Sequence, residues 1–451
     1  MFRSHPPAWY MTWLAILLAP LPLLWLLDTG LVDSAARLVV YDAGVVAYVW
    51  WLIIVVLSTR PQWLDRCIGL PAIYGIHAVL ALLAVALATF HVLQSFTMHS
   101  IIYRTGHTAW LLALGMVVYA ALFMSGWLVD RLPVAAAAKR RLSRFFSHEL
   151  SVWIHRLNFV VIALVLVHVH VIPRIASVTA FVVGLDLYTL LALGIYVWNK
   201  LVAPGMESRQ GVVVANVSLS ADTQQVTIRL TEHAQAFEPG DFYFVSFPGV
   251  RGIPAQAHPF SATFAHGSVE YERAAEKAPS EGAPDQVSAD RHLTLTIKQK
   301  GDFTSQIRQV APGSKARLEG PFGRFHRVLS GDAAHRRLVL IGMGVGIAPL
   351  VGLAQAWAGQ RPITILHSAG SGDAFHYEEI LTELAESNAG VSYHRHLHRY
   401  SEGDLTETLR DDVPNARFVV VGPASAVLAT EKTLRRLGVP ARNITDERLT
   451  M

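Results

Sequence analysis

Residues 70–94 read LPAIYGIHAVLALLAVALATFHVLQ, 25 positions without one Asp, Glu, Lys or Arg. A run of about 20 such residues is enough for a helix to cross ~30 Å of hydrocarbon. In lipid the backbone must satisfy its own hydrogen bonds, so the run reads as a helix. Two histidines interrupt its apolar character, His77 and His91. Their 14-residue step turns a helix through about 1400°, some 40° short of four turns, and rises about 21 Å. Both rings therefore face one side at two depths, where an ionisable group is costly unless it has a partner.

Working outward, five more stretches of this kind cover residues 8–27, 43–59, 107–129, 146–172 and 178–199. The first is Trp-rich, holds Pro20 and Pro22, and lacks an Ala-x-Ala-like cleavage site, so it reads as an uncleaved span. Arg3, Arg60, Arg66, Lys139, Arg140, Arg141, Arg144 and Lys200 all fall on one side if the N-terminus is cytoplasmic. Six spans then place residues 200–451 in the cytoplasm as well. The expectation is a multi-pass protein of the plasma or bacterial inner membrane with both termini inside.

The fifth span carries His155, His168 and His170 and runs parallel to the third. His77 can face His155 at one depth, and His91 can face His168 at the other. Two stacked bis-imidazole sites result, each suited to a planar haem iron. From His155 to His168 an ideal helix ends about 140° out of line, whereas His170 is only about 60° past four turns. Regular geometry therefore favours His170, and a bulge or the bend before Pro173 would favour His168. The competing reading is that these histidines are core residues satisfied by one another. Asp186, within the sixth span, is a further ionisable candidate.

Composition agrees with a membrane half joined to a soluble half. Of 451 residues, 52% are hydrophobic and only 16% charged, against about 25% charged in soluble domains. The single cysteine, Cys67, excludes disulfide frameworks and cysteine-ligated clusters, and 20 histidines leave imidazole as the metal ligand. A net charge of +4 argues for no nucleic-acid partner. After Pro204–Gly205, short β-branched runs at 212–219, 225–230 and 293–298 are punctuated by Gly and Pro, as in a small antiparallel barrel. An Ala/Glu/Pro/Ser-rich insert between His266 and Arg291 reads as a surface loop. From Arg337 strands and helices alternate. The apolar strand 338–341 runs into Gly342, Gly344, Gly346 and Pro349, with further parallel strands at 363–366 and 417–421. Glycines there let a backbone approach a pyrophosphate at a helix N-terminus.

Taken together, the two histidine pairs, His258-Pro-Phe-Ser261, Lys298 with Gly301-Asp-Phe-Thr304, Gly320-Pro-Phe-Gly323 and the 342–349 turn resemble the ferric reductase and NADPH oxidase superfamily. That family joins a six-span di-haem membrane domain to a ferredoxin-reductase-like FAD and NAD(P) module, and the resemblance covers nearly the whole chain. It implies three domains: residues 1–203 spanning the membrane, 204–330 an FAD-binding antiparallel β-barrel, and 331–451 an NAD(P)-binding α/β domain with a parallel sheet. It implies His77, His91, His155 and His168 as the ligands of two b-type haems, with His170 as the fallback. His258, Pro259, Phe260 and Ser261 would line the isoalloxazine, with the Ser261 hydroxyl near flavin N5 and Lys298 close by. Gly301 and Thr304 would meet the FAD pyrophosphate. Gly342, Gly344, Gly346 and Pro349 would hold the nicotinamide nucleotide, and Gly422 and Pro423 would lie near its nicotinamide. Ser261 and Pro423 are the candidate catalytic positions.

The sequence departs from the family at Val421, often Cys, at the end Glu447-Arg-Leu-Thr-Met451, often aromatic, and at His367-Ser-Ala-Gly370, where many NADPH users carry Arg. NADH and NADPH both remain open, with Arg395 or Arg399 available to a 2′-phosphate. The expected function is electron transfer from cytosolic NAD(P)H through FAD and two haems to an outer-face acceptor. Ferric chelate is slightly favoured by the cationic stretch His99, Arg104 and His107, and dioxygen, giving superoxide, is the alternative. Quinone in the outer leaflet is a third option. A nucleotide-sensing transporter or channel is the rival from another class. No Ca²⁺-binding loop or docking tail is recognisable, so no obligatory protein partner is expected.

Overall fold

A computed structural model of the chain describes residues 6–124, 148–231, 233–264, 292–332, 336–370, 375–409 and 413–449, with isolated helical positions at 134, 137 and 141. The chain divides into two compact units, Pro6–Leu201 and Val202–Met451. The first is helical: α1 (Pro7–Leu18), α2 (Leu21–Gly30), α3 (Ala35–Ser58), α4 (Gln62–Ile68), α5 (Leu70–Gln94), α6 (Ser100–Phe123), α7 (His148–His155), α8 (Asn158–His170) and, after a short turn, α9 (Thr179–Val197). Among the described residues six helical segments are long and apolar enough to cross a membrane. On α5, Ile73, Ile76, Leu80 and Ala84 recur at three- and four-residue steps and are buried, the packing face that this period dictates.

Three expected spans differ in detail. The first is two helices, because Pro20 and Pro22 have no N–H to continue the ladder of α1 and instead sit at the start of α2. The fourth begins at Ser100, seven residues before the expected 107, so Arg104 and His107 stand on helix and not in a loop. A single Arg near a helix end does not break it, since its long stem can reach polar surroundings. Residues 125–129 of that expected span lie outside the described residues. The fifth is interrupted after His155, where the Asn158 side-chain amide donates to the His155 carbonyl at 2.6 Å and α8 starts afresh. That interruption removes the 13-residue phase problem, because the two histidines no longer share one continuous helix.

The second unit holds two sheets. β1 (Gln210–Ser220), β2 (Thr223–Leu230), β3 (Phe242–Ser246), β4 (His258–Ser261), β5 (His292–Lys298) and β6 (Lys315–Phe322) form an antiparallel sheet in the order β4-β3-β6-β1-β2-β5. Val226, Ile228, Val245, Leu293, Leu295 and Ile297 fill its core. In place of the expected closed barrel, the edges meet at one isolated bridge, Ala262 to Leu295. β4 is only four residues long and contains Pro259, which cannot donate to a ladder. The expected insert at 266–291 lies outside the described residues.

The other sheet is parallel, in the order β11-β10-β7-β8-β9, built from β7 (Leu338–Met343), β8 (Ile363–Ala369), β9 (Val391–Leu397), β10 (Arg417–Pro423) and β11 (Ile444–Leu449). Every residue of β7 and β8 is buried, as central parallel strands covered on both faces require. The expected strands 338–341, 363–366 and 417–421 are β7, β8 and β10. The two edge strands, β9 and β11, carry too many polar residues to stand out by apolar pattern. β7 runs through a one-turn 3-10 segment, Gly344–Ile347, into α10 (Ala348–Trp357).

The glycines of that turn have different duties. A Cβ on Gly346 would lie 2.4 Å from the Val421 carbonyl oxygen, and one on Gly342 would lie 2.8 Å from the Ile347 backbone. Both are demanded by the chain's own packing. Gly344 has a left-handed φ of +56° and open space where its side chain would be. We expect Gly346→Ala to cost about 1–3 kcal/mol, the range for overpacking a fixed backbone, and to lower the melting temperature more than Gly344→Ala. Equal melting temperatures for the two variants in thermal unfolding of the full chain would contradict this packing assignment.

Candidate functional site

In the helical unit the rings of His77 and His155 stand 6.3 Å apart between centroids, and those of His91 and His168 stand 6.4 Å apart. A metal-bound imidazole nitrogen lies about 2.0 Å from its metal, and the ring centre about 1.1 Å further out, so two imidazoles on one iron have centres about 6.2 Å apart. Both pairs match that spacing. Among the described residues no group of three or more His, Cys, Asp or Glu is placed to hold a metal ion. Two axial imidazoles therefore suit a metal that brings its equatorial ligands with it, as haem iron does.

Outer contacts orient the rings. His91 Nδ1 donates to the Val40 carbonyl at 2.7 Å. His168 Nδ1 lies 3.1 Å from the Ile102 carbonyl and 3.2 Å from Thr105 Oγ1. Because a carbonyl only accepts, Nδ1 carries the proton and Nε2 keeps its lone pair for a metal. His77 bonds to the Ile54 backbone, whereas the buried Nδ1 of His155 has no hydrogen-bond partner among the described residues. Two glycines missed in the sequence make room for the His91–His168 pair. A Cβ on Gly44 would lie 3.0 Å from the His91 ring, and one on Gly106 would lie 2.8 Å from the His168 ring. Glycine within an otherwise bulky apolar span was the available signal. His170 turns elsewhere: its Nε2 lies 3.5 Å from Asp186 Oδ2, and its Nδ1 is 2.8 Å from the Leu166 carbonyl. His107 stacks on Tyr103 at 3.9 Å.

In the second unit, β4 places His258, Pro259, Phe260 and Ser261 beside β3, with Ser261 opposite Phe242. The His258 ring stacks on Phe303 at 4.2 Å, so one of its faces is taken by protein. Ser261 Oγ donates to Glu447 Oε1 at 2.8 Å, linking β4 to β11. Glu447 was read only as the lack of an aromatic, since nothing local shows that an edge strand 186 residues away returns to the serine. Thr304 is nearly fully buried, and its Oγ1 accepts from the backbone N–H groups of Lys300 and Gly301 at 2.8 and 3.0 Å. It caps its own short helix, which occupies part of the hydrogen-bonding capacity that a pyrophosphate was expected to use. Lys298 pairs with Asp222 at 3.1 Å.

Gly342 on β7, His367 on β8 and Arg395 on β9 are register neighbours, level with the glycine turn. Pro349 lies buried in the first turn of α10, while Gly422 and Pro423 end β10 beside β11. Burial pushes the His367 imidazole down to about 4, with His376 nearby adding to the fall and the Gly344 backbone opposing it. Its Nδ1 lies 3.1 Å from the Tyr393 hydroxyl. His367 is thus a neutral buried ring at neutral pH. Arg395 is ion-paired with Glu378 and lies over the Phe375 ring, so its charge is already partnered.

An antiparallel sheet followed by a parallel sheet with a glycine turn after its central strand defines a flavin and nicotinamide-nucleotide type of unit. No protein-family model matches the chain. It is 29% identical over 153 residues to an aromatic O-demethylase reductase subunit from Amycolatopsis, covering 31% of this chain and 46% of that protein. It is also 29% identical over 170 residues to a flavohemoprotein from Deinococcus radiodurans, covering 33% and 41%. Among solved structures, an Amycolatopsis cytochrome P450 reductase aligns with a TM-score of 0.43 at 21% identity, over 54% of this chain and 70% of that one. The chain spans less than half the length of the curated relatives it matches. These sequence similarities support a ferredoxin-reductase-like FAD and NAD(P) module within the chain.

Two predictions come from these geometries. If each imidazole pair holds a haem, His168→Leu should abolish one haem signal in the visible spectrum of purified protein while His170→Leu keeps it; the reverse pattern would make His170 the ligand. For His367, the unfolded imidazole takes up a proton near pH 6.5 and the folded one only near 4. Its contribution is therefore complete above about pH 6.5 and falls by about 3 kcal/mol as pH drops towards 4. Melting temperature should decline over that interval and decline less in His367→Gln, and parallel curves would refute the assignment.

Proposed function

We propose that this protein is a transmembrane NAD(P)H-dependent oxidoreductase that passes electrons through FAD and two b-type haems to an acceptor on the outer face. The observation that carries this reading is the outer imidazole pair. Each of its rings has Nδ1 committed to a backbone carbonyl, which leaves both Nε2 lone pairs uncommitted to those carbonyls, on rings whose centres have the spacing that one iron requires. A transporter or channel would gain nothing from two acceptor atoms so arranged, whereas a metal between them satisfies both. The supply side of the chain is the FAD and NAD(P) module. Nicotinamide gives two electrons as hydride, haem iron takes one at a time, and a flavin converts between them.

The chain's own residues then have assigned duties. His77 and His155 hold the haem on the cytoplasmic side, and His91 and His168 hold the outer one. Ser261, oriented by Glu447, faces the flavin where hydride arrives, with Gly422 and Pro423 beside the nicotinamide. The open position at Gly344 is where the nucleotide's phosphates come closest to the backbone. His367 offers no charge to a 2′-phosphate and Arg395 is ion-paired with Glu378, which favours NADH, while the exposed Arg399 keeps NADPH as the alternative. The protein lies in the plasma membrane or bacterial inner membrane with its second unit in the cytosol. Arg104, exposed near the start of α6, attracts an anionic ferric chelate to the exit, and dioxygen is the alternative acceptor.

The test uses sealed vesicles with the second unit facing outward. NADH added outside should reduce a membrane-impermeant ferric chelate trapped inside, and the protein should show a low-spin b-type spectrum with two haems per chain. Reduction of the trapped reporter that superoxide dismutase abolishes would make superoxide the product. A haem-free protein that retains FAD would overturn the electron-transfer route.

A further inference from the structure

We propose that Asn158 is a positioning residue for the imidazole pairs: its side-chain amide tightens the fifth span from His155 to Val160 and so brings His155 and His168 into step with His77 and His91. This rests on the haem reading above. The stretch His155–Val160 holds no Pro or Gly to break a helix. What interrupts it is a side chain entering the hydrogen-bond ladder, one of the few causes of an abrupt change in a helix. In a regular α-helix the His155 carbonyl would accept from the Phe159 N–H, four residues on. Here Asn158 Nδ2 donates to that carbonyl at 2.6 Å, and the Phe159 N–H turns to the Arg156 carbonyl at 3.0 Å. Leu157 donates to Ile154 and Val160 to Leu157, both at 2.9 Å. These are bonds of 3-10 type, three residues back. The four-residue pattern returns with the Val161 N–H bonded to the Leu157 carbonyl at 3.3 Å.

Tighter winding changes both angle and length. Each 3-10 step turns about 120° and rises about 2.0 Å, against about 100° and 1.5 Å in an α-helix. Five such steps from His155 to Val160 add about 100° to the roughly 1300° that 13 regular steps supply. The result, about 1400°, is the turn that 14 regular steps give between His77 and His91 on α5. The rise becomes about 22 Å, against about 21 Å on α5. Two parallel segments that turn and climb by equal amounts can present histidines to each other twice, and the rings do meet twice, at 6.3 and 6.4 Å. A regular fifth span would align one pair and leave the other about 100° out of register. Asn158 thus acts through the His155 backbone, and its effect reaches whichever pair the regular helix would lose.

The test uses the full chain in lipid nanodiscs and compares wild type with Asn158→Leu, Asn158→Ala, Asn158→Thr and Asn199→Leu. Leucine and alanine remove the donor, the second without adding bulk. Threonine keeps one, since its hydroxyl reaches carbonyls three or four residues back. Asn199 makes the same kind of bond, 2.9 Å to the Ile195 carbonyl, beyond the histidine-bearing spans and serves as the control. Haem per chain is counted from the pyridine haemochrome spectrum. Helix phase is read without haem, from dipolar broadening between spin labels on Trp153→Cys and Val160→Cys in a Cys67→Ser background, both label positions being exposed. On a regular helix these labels are about 20° apart in turn, and with five tightened steps about 80°. Two low-spin haems are expected in wild type, Asn158→Thr and Asn199→Leu, and one in Asn158→Leu and Asn158→Ala, with stronger broadening in those two than in the labelled parent. Equal broadening with and without the Asn158 amide, two haems in the leucine and alanine variants, or equal haem loss in Asn158→Thr or Asn199→Leu would overturn the positioning role. Broadening that follows Asn158 in a wild type carrying no haem would sink the electron-transfer reading and leave Asn158 setting the phase of the span.

Discussion

A polar ring inside an apolar helix needs a partner, and that constraint organises the helical unit. Four imidazoles are held in two pairs, with ring centres 6.3 and 6.4 Å apart. Their placement requires α5 and the α7–α8 segment to approach at matched depths. It also requires α3 and α6 to supply backbone carbonyls, from Val40 and Ile102, and small residues, Gly44 and Gly106, beside the rings. The break after His155 belongs to the same constraint. A continuous helix would turn His155 and His168 about 140° apart, and restarting the helix at Asn158 lets both face α5.

In the second unit the corresponding ties run between two sheets. Ser261 reaches Glu447, the Gly352 N–H donates to the Thr263 carbonyl at 2.8 Å, and the Tyr377 hydroxyl meets Thr296 and Gln225 at 2.6 and 3.0 Å. Tyr377 is partly buried, and desolvation drives its phenol well above the usual range, so it stays a neutral hydrogen-bonding group. These contacts are polar, directional and far apart in sequence. They hold β4 and the residue Thr263 after it against β11 and α10, and β2 and β5 against Tyr377, the arrangement that hydride transfer between a nicotinamide and a flavin would need. Within the nucleotide turn, Gly346 gives up its side chain so that α10 can start against Val421, and Gly344 is left open to a ligand.

Much of this was legible in the sequence because it follows from period and length. Spans of 20 or more apolar residues, the 14-residue histidine step, and the strand–glycine–helix order are local patterns. They placed the helices, the central strands β7, β8 and β10, and the glycine turn. Local pattern misplaced the start of α6, because a lone Arg104 looked like a boundary. It also passed over β9, whose His394, Arg395 and His396 hide an edge strand. Short β-branched runs do not reveal that the two sheet edges meet only in the isolated bridge from Ala262, just after β4, to Leu295 of β5 among the described residues.

The sequence by itself determined which residues are apolar enough to form spans, which histidines lie within them, and where glycine frees the backbone after a strand. These depend on covalent identity and on the 3.6- and 2-residue periods, which need no knowledge of the partner. Only the tertiary structure decided that His168 faces His91 while His170 turns to Asp186, and that Glu447 returns to Ser261. Each of these depends on where a second element, 16 to 186 residues distant, comes to rest or on a helix losing its phase. A side chain's partner is chosen by distance in space, and a linear pattern does not carry that distance.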